Sequence, residues 1–311
     1  MATYISMSGE KPDLASLWRD LEARFKGQAR QNEPLASHST LHLGGPADIW
    51  FPARSAYELS MAVTLARCRR VSFFILGGGA NLLIREAGFR GLVIENRANA
   101  VYFEGSRVIA ESGTVIPRLV KQCAQRGLSG LEWAIGIPGT LGGATVNNAG
   151  AYGKSMANCL IRAELTEAEG RRVWRSVGWF EYTYRSSKLK LAGFEKPVVL
   201  QVELGLSPAP ISEIEALIHK YSTQRRATQP PGATIGSMFK NPPGDYAGRL
   251  IEAAGLKGYR LHQAQISPRH ANFFVNLGGA TADDVIRLIE MARTEVKARF
   301  GVELELEIEI I

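Results

Sequence analysis

The chain has 311 residues, enough for two or three domains with sizeable hydrophobic cores. Its 45% hydrophobic and 22% charged residues are typical of a folded globular protein, and no apolar run reaches the roughly 18 residues of a membrane span. The net charge of +7 favours an anionic partner, but the basic residues are spread along the chain rather than gathered in the patch typical of nucleic-acid binding. We therefore expect neither membrane nor nucleic acid among its partners, and the N-terminus, which lacks an apolar signal core, predicts a cytoplasmic protein.

The cysteines and histidines give no sign of a metal site. Cys68, Cys123 and Cys159 are far apart and form no C-x-x-C pair, and the five histidines are scattered. We expect reduced, mostly buried thiols and no bound metal.

The first half of the chain alternates between helical and extended patterns. Ser55 and Glu58 have the spacing of a capping box at the start of one helix, and Gly127 ends another. The predicted elements are helices over 13–25, 55–68 and 116–126, and strands over 71–76, 91–96 and 107–113.

The second half begins with hairpins and ends with a long helix. Ser212 is a predicted helix cap, and Thr281 and Gly301 are predicted to bound the last helix. The predicted elements are a hairpin over 159–177 that turns near 169–170, strands over 198–206 and 270–277, and helices over 212–227 and 282–300. This mixture predicts α+β units rather than one regular parallel sheet.

The last eleven residues, GVELELEIEII, alternate apolar residues with Glu303, Glu305, Glu307 and Glu309. This alternation predicts a strand with one apolar and one acidic face. The acidic face could be a solvated edge that blocks aggregation, or one glutamate could face inward and take part in chemistry. The alternation alone does not separate these alternatives.

Two glycine-rich runs, over 75–84 and 134–153, suggest a phosphate-bearing ligand. Glycine allows φ > 0, and concave rows of backbone N–H groups bind phosphate. Tight turns between strands are the alternative, with about even weight for the first run. No G-x-G-x-x-G joins a strand to a helix, so a Rossmann site is not supported.

Three polar residues of the second half also have ordinary structural readings. Ser237 could be a turn hydroxyl, and no G-x-S-x-G surrounds it. Arg185 follows an apolar–aromatic strand and could form a surface salt bridge. His270 precedes a strand, where a hydrogen-bonded structural histidine is expected.

The chain combines IPGTLGG (137–143), NAGAYG (148–153) and GSMFKNP (236–242), and this combination resembles the UDP-N-acetylenolpyruvoylglucosamine reductases. The resemblance extends from about residue 35 to the end of the chain and is most specific where GSMFKNP, IPGTLGG and NAGAYG occur together. The matching stretches are LHLGGPAD (41–48), ILGGGANLLI (75–84), GIPGTLGGATVNNAGAYG (136–153), YRSS (184–187), GSMFKNP (236–242), AGLKGYR (254–260), SPRHANFFVN (267–276) and the terminal strand.

The resemblance implies an α+β fold of the vanillyl-alcohol-oxidase type. Two α+β subdomains, over 1–102 and 103–208, would clasp FAD, and a C-terminal α+β domain over 209–311 would bind the substrate. The last strand would return to the active site. Only 52 positions separate Arg185 from Ser237, which leaves little room for the tyrosine-bearing loop of one subtype, so the shorter subtype is expected.

The implied reaction is the NADPH-dependent reduction of the enolpyruvyl group of a UDP-sugar, with FAD as cofactor. NADPH and substrate would use one pocket in turn, which would account for the missing second dinucleotide motif. Ala80 and Asn81 stand where some relatives of this fold have a flavin-linking histidine, so non-covalent FAD is expected. A monomer is expected.

The resemblance also assigns roles to individual residues. Arg185 would bind the substrate carboxylate, Ser237 would donate a proton, and Glu307 would be the catalytic acid, with Glu305 as the alternative. The implied FAD contacts are Gly77, Gly78, Gly79, Ala80, Asn81, Leu82, Ile137, Pro138, Gly139, Gly142, Gly143, Val146 and Gly150. The implied substrate contacts are Tyr152, Lys240 and Asn241.

Two rival functions stay open from the sequence. One is a flavin oxidase of the same fold that acts on an alcohol or lactone with O₂ as oxidant. The other is a basic nucleotide- or RNA-binding protein without redox chemistry.

Overall fold

The structure is a computed structural model that describes residues 3–4, 12–190 and 195–311. The chain forms two compact units. Unit 1 comprises Met1–Glu33, Ala47–Gly77 and Phe89–Ser222, and unit 2 comprises Pro34–Pro46, Gly78–Gly88 and Thr223–Ile311. The predicted three-part division of the chain stays a prediction. In the described part of the chain, no helix combines the length and apolar character needed to cross a bilayer.

The first sheet of unit 1 packs against two helices, α1 (Leu14–Arg24) and α2 (Ala56–Cys68). Its central strands are parallel. The strand order is Thr3–Tyr4, Phe73–Leu76, Phe89–Asn96, Pro46–Ala53, Arg30–Pro34. Helix α2 begins as predicted, because Ser55 Oγ accepts a hydrogen bond from Glu58 N. The capping box is not reciprocal, since Glu58 accepts instead from the N–H of Arg54.

The second sheet of unit 1 is antiparallel and includes the predicted hairpin. Its apolar face packs on α3 (Ile116–Ala124) and α4 (Leu141–Asn147) around the buried Trp133 and Phe180. The strand order is Arg172–Ser176, Leu160–Thr166, Val198–Gly205, Arg107–Glu111, Val101–Glu104. Two short ribbons pair Gly150–Ala151 with Lys154–Ser155 and Leu128–Ser129 with Ser207–Pro208.

Helix α5 (Ile211–Thr228) starts two residues before the position that a cap at Ser212 would give. The carbonyl of Pro210 accepts the first helical bonds, from Glu213 N at 3.0 Å and Ile214 N at 3.3 Å. Ser212 is therefore inside the first turn, and its predicted role as the cap is wrong. Proline before a helix has its φ already fixed near helical values, so its carbonyl can start the helix without a side-chain cap.

Unit 2 contains an antiparallel sheet covered by α6 (Ala247–Ala253) and α7 (Ala282–Phe300). The strand order is Ala233–Ser237, Phe273–Asn276, Ala264–Ile266, Arg260–Leu261. Thr281 and Asp284 form a complete capping box at the start of α7, and Gly301 ends it with φ +70°, both as predicted.

The terminal segment departs from the predicted continuous strand. Only Glu309–Ile310 forms a strand, parallel to Leu82–Leu83, and Leu306 makes a single bridge to Phe239. The apolar alternation is nevertheless real, since Leu304 and Ile308 are buried. The segment changes partners along its length, and this change prevents one uninterrupted ladder.

The cysteines are all free, with Cys68 exposed and the other two buried. Burial raises the pKa of both Cys123 and Cys159 to about 12, so these thiols stay protonated and unreactive at neutral pH.

Candidate functional site

In unit 1, the second glycine run is fastened to the end of the strand Arg107–Glu111. Leu141 N donates to Thr114 O at 2.9 Å, and Gly142 N donates to Ser112 O at 2.7 Å. A Cβ on Gly142 would lie 2.9 Å from the Cβ of Ser112, so glycine is required for this approach. A Cβ on Gly143 would meet only Thr140 Oγ1, at 3.7 Å, so the space beside Gly143 is open. The loop thus combines a tightly held backbone with room for a ligand next to it.

Tyr152 sits at the tip of the ribbon that ends this run. Its φ is +54° and that of Gly153 is +76°, values typical of the type I′ turn that joins two strands through two residues. The Tyr152 ring stacks on that of Tyr221 in α5, with centroids 4.1 Å apart, and its hydroxyl donates to Tyr221 O at 3.1 Å. The expected substrate contact is therefore held in one orientation by α5.

Arg185 occupies the third position of a four-residue turn that Thr183 and Ser186 close with two backbone hydrogen bonds of 3.2 Å. Its φ is +54°, a conformation that L-residues adopt at a cost of about 1–2 kcal/mol. Strain of this kind is often kept where function requires it. The half-buried side chain passes over the Tyr184 ring at 5.7 Å.

Two hydrogen bonds tie the Arg185 turn to the second glycine run. Asn148 Nδ2 donates to Thr183 O at 3.0 Å, and Ser187 Oγ donates to Val146 O at 2.5 Å. Unit 1 thus brings Arg185 into the same neighbourhood as the segment from Val146 to Tyr152, which the sequence placed 33 to 39 positions earlier.

The GGG run is divided between the units. A Cβ on Gly77 would lie 2.6 Å from Thr140 Oγ1, within unit 1. In unit 2, Gly79 has φ +62°, and a Cβ there would lie 2.2 Å from His38 O. Position 79 therefore requires glycine, because the clash is with backbone atoms, whereas a side chain at position 77 would need the Thr140 hydroxyl to move.

Asn81 joins the first glycine run to the terminal segment within unit 2. Its Nδ2 donates to Glu307 O at 3.1 Å, and its own carbonyl accepts from Glu309 N at 3.1 Å. Ile311 N continues the contact with Leu83 O at 3.0 Å.

Ser237 ends the strand Ala233–Ser237, directly after Gly236, whose φ is +83°. A register shift separates Thr234 from Ser237 against the neighbouring strand. The following residues are held by the buried Asn272, whose amide exchanges hydrogen bonds of 2.9 and 2.8 Å with the backbone of Phe239. The half-buried serine is therefore positioned by its backbone on both sides.

Three of the four terminal glutamates, which are equivalent in sequence, have different surroundings in the structure. Glu303 pairs with Lys297 at 2.6 Å and Glu305 pairs with Lys240, and both glutamates are exposed. Glu307 is half-buried, and its N–H donates to Met238 O at 3.0 Å. The glutamate chosen from the resemblance thus lies against the residue next to Ser237.

Asn241 has a structural task, because its Oδ1 accepts from Ala247 N at 3.1 Å at the start of α6. His270 also fits its structural reading. It packs over Gly248 and edge-on against Phe273, and its Nδ1 accepts from Asn272 N at 3.2 Å.

Three residues that support these loops were missed in the sequence. Asn148 lies inside a matched motif, where its φ of +45° at the C-terminus of α4 is typical of asparagine. Asn272 lies inside SPRHANFF. Tyr221 carries no sequence signal, because it is one aromatic residue in a helix.

The loops provide what a dinucleotide needs. Unit 1 has closely packed backbone at Gly142 beside an open position at Gly143, and unit 2 has closely packed backbone at Gly79. Each arrangement taken by itself suits binding of a phosphate group by backbone N–H groups. The residues present therefore fit FAD.

Comparisons with known proteins cover nearly the whole chain. The family model of the UDP-N-acetylenolpyruvoylglucosamine reductase C-terminal domain matches residues 228–311, and that of the FAD binding domain matches residues 47–176. The UDP-N-acetylenolpyruvoylglucosamine reductase of Moorella thermoacetica is 43% identical over 302 residues, which cover 96% of this chain and 98% of the relative. Reductase 2 of Symbiobacterium thermophilum is 43% identical and covers 92% of this chain and 93% of its own.

Solved structures agree with these matches. The crystal structure of UDP-N-acetylenolpyruvylglucosamine reductase from Thermus caldophilus has a TM-score of 0.79 at 35% identity and covers 91% of this chain and 99% of its own. An alkyldihydroxyacetonephosphate synthase, with a TM-score of 0.50 at 18% identity over 65% of this chain and 45% of its own, shows the fold alone. The expected vanillyl-alcohol-oxidase type of FAD-binding fold with a C-terminal domain is confirmed, and so is FAD as the cofactor.

Proposed function

This chain belongs to the UDP-N-acetylenolpyruvoylglucosamine reductase family and is an FAD-dependent oxidoreductase, and on that premise we propose its reaction in detail. It reduces the enolpyruvyl group of UDP-N-acetylglucosamine enolpyruvate to give UDP-N-acetylmuramate, with NADPH, the family's hydride donor, as the source of electrons. The observation that carries the proposal is the hydrogen bond from Glu307 N to Met238 O, which joins the two family motifs expected to carry the acid and the proton donor.

The glycine loops hold FAD without a covalent bond, since Ala80 and Asn81 offer no nucleophile in the glycine turn. When bound and reduced, FAD supplies a hydride to C3 of the enolpyruvyl double bond. Backbone N–H groups of the Gly77–Leu82 and Ile137–Gly150 runs bind the pyrophosphate, which needs donors rather than bulky side chains.

Arg185 binds the carboxylate of the substrate. Hydride arrival at C3 leaves negative charge at C2, which spreads into this carboxylate. A guanidinium offers two parallel N–H donors to a carboxylate and stabilises the developing charge most strongly where water is excluded. The constrained turn from Thr183 to Ser186 supports this role, because it limits the directions the side chain can take.

Ser237 donates the proton to C2. Its hydroxyl is a very weak acid, but the enolate carbon is strongly basic, so position matters more than pKa. Asn272 and the pairing of Ser237 with Phe273 across the sheet support this role, since they hold the backbone at the serine and directly after it.

Glu307 orients or protonates the developing enol. It is favoured over Glu305 because Glu305 is 71% exposed and paired with Lys240, whereas Glu307 is half-buried next to the Ser237 segment. Tyr152, Lys240 and Asn241 bind the sugar nucleotide, and Lys240 supplies the positive charge that its diphosphate requires.

The product is an intermediate of peptidoglycan precursor synthesis, and its sugar-nucleotide nature supports a cytoplasmic site of action. The strand Val198–Gly205 and helix α5 fill most of the described chain between Arg185 and Ser237, which supports the shorter subtype. We propose that the enzyme acts as a monomer, and light scattering of the purified holoenzyme measures this directly.

Anaerobic mixing of the purified holoenzyme with NADPH, and then with the enolpyruvyl sugar nucleotide, tests the reaction. We expect flavin absorbance near its visible maximum to disappear with NADPH and to return with the sugar nucleotide, in equal amounts. A protein that oxidises a small alcohol and ignores NADPH would be an oxidase instead. A colourless protein that binds no flavin would contradict the redox function altogether.

A further inference from the structure

Lys240, an expected substrate contact, forms a salt bridge with a carboxylate of unit 2. Its Nζ donates a hydrogen bond to Oε1 of Glu305. The two side chains differ in their environment, since that of Lys240 is 17% exposed and that of Glu305 is 71% exposed. The cation is fixed in a mostly buried position, while the anion extends into solvent.

The backbone holds this pair beside the candidate catalytic residues. Lys240 N donates to Glu305 O at 2.8 Å, and the antiparallel bridge between Phe239 and Leu306 sets the register. Glu307 N donates to Met238 O in the same register. The Lys240 ammonium group is therefore positioned by the same two paired segments that carry Ser237 and Glu307.

The unequal exposure decides which partner can leave. A mostly buried ammonium loses much of its hydration and needs an anion close by. A carboxylate that is mostly exposed loses little when it turns into water. Glu305 also lines an open cavity of about 610 Å³, so a released carboxylate has space to turn away from Lys240.

Resting on the proposed function, we propose that Glu305 is a displaceable internal counter-ion that an anionic substrate replaces at Lys240. A tethered carboxylate is present at high effective concentration, so it outcompetes small inorganic anions. A diphosphate linked to a uridine and a sugar gains further contacts and displaces it. Glu305 thus lowers the affinity of Lys240 for every anionic ligand. Small anions are excluded as a result, whereas the sugar nucleotide still binds through its other contacts.

The neighbouring pair Glu303–Lys297 provides a matched control. It has the same chemistry and a similar place on the terminal segment, but its two side chains are 82% and 53% exposed. Such a surface pair contributes little, and neither residue is an expected substrate contact.

Calorimetric titration of the oxidised holoenzyme with UDP at low salt tests the proposal. Because water screens the mostly exposed carboxylate of this pair, its loss should have a modest effect, and Glu305→Gln should bind UDP about two- to fivefold more tightly than the wild type. Glu303→Gln should match the wild type, and Lys240→Met should bind more weakly. Adding Glu305→Gln to Lys240→Met should bring no gain in UDP affinity. Inorganic phosphate should weaken UDP binding more strongly in Glu305→Gln than in the wild type.

Unchanged or weaker UDP binding by a correctly folded Glu305→Gln, with its flavin spectrum and melting temperature intact, would overturn the proposal. So would an equal gain in Glu303→Gln or a gain that persists without Lys240. Failure of the wild type to bind UDP or the sugar nucleotide would instead count against the proposed function, so the two failures are distinguishable.

Discussion

The candidate site residues of unit 1 and those of unit 2 are held in place by different means. In unit 1, Tyr152 and Arg185 stand at the tips of tight turns, each with a positive φ, and side-chain hydrogen bonds join the Arg185 turn to the C-terminal end of α4, which precedes the Tyr152 turn. In unit 2, Ser237 and Glu307 lie on extended segments that backbone hydrogen bonds join across about 70 positions of sequence.

The two units differ in what fixes the position of each site residue. A turn residue with positive φ carries local strain, so its position depends on a few neighbouring contacts. A residue on paired segments carries no such strain, but its position depends on the correct register of distant parts of the chain. Substitutions should therefore act locally in unit 1 and more globally in unit 2.

The largest local effect is expected at Arg185. Arg185→Gln removes the charge that opposes the developing enolate and should lower turnover about 100- to 1,000-fold, the usual cost of losing one such donor. Melting temperature should hardly change, because the turn is closed by its backbone. Lys188→Gln is the control, since its partner Glu181 is exposed and no role is expected for it. Turnover close to that of the wild type in Arg185→Gln would remove this residue from the chemistry.

Two glycine substitutions separate crowding from strain. Gly79→Ala in unit 2 puts a methyl group 2.2 Å from His38 O at φ +62°, so the backbone must move and stability should fall by about 3 kcal/mol or more. Gly153→Ala in unit 1 meets no atom within 4 Å and carries only the strain of φ +76°, about 1–2 kcal/mol. Chemical denaturation of both variants measures the two values. Equal losses would show that crowding at Gly79 is relieved easily.

A smaller effect is expected from the tyrosine stack of unit 1. Tyr221→Leu removes an aromatic pair of about 0.5–1.5 kcal/mol and should raise KM for the sugar nucleotide about two- to tenfold. Tyr221→Phe keeps the ring, and the backbone oxygen that accepts from Tyr152 is unchanged, so it should resemble the wild type. A KM unaffected by Tyr221→Leu would show that α5 does not orient Tyr152.

The smallest effect concerns pH. Burial lowers the pKa of His270 below its ordinary 6.5, so the folded protein keeps this histidine neutral where the unfolded chain binds a proton. Its contribution to stability is therefore present above pH 6.5 and is lost as pH falls from 6.5 toward the lowered pKa. His270→Asn should show a shallower fall in melting temperature between pH 7.5 and 5.5 than the wild type. A steeper fall would mean that the imidazole is stabilised in its charged form.

The sequence predicted local elements well, because their signals are local. Ser55, Thr281 and Gly301 mark helix ends by side-chain capping or positive φ, and the structure uses each of them in this way. The prediction of Ser212 as the cap was wrong because the helix begins earlier, with the carbonyl of Pro210 accepting its first hydrogen bonds. Two possible start positions so close together cannot be separated from the sequence.

Pairing between segments that are distant in the chain could not be predicted from the sequence. The alternation from Val302 to Ile310 predicted the buried face correctly but not the change of partner from Met238 to Asn81. Nothing in GVELELEIEII distinguishes Glu305 from Glu307, because their difference is created by Lys240 and Met238 on another segment. Tyr221 was missed for the same reason, since its importance comes from a partner 69 positions away.

The proposed reaction depends on Ser237 giving its proton to the substrate after hydride transfer. Stopped-flow absorbance of Ser237→Ala, measured anaerobically, separates the two half-reactions. Flavin reduction by NADPH should proceed at the wild-type rate, whereas reoxidation by the enolpyruvyl sugar nucleotide should slow by about 100- to 10,000-fold, the range of a lost general acid. Reoxidation at the wild-type rate would show that Ser237 is not the proton donor.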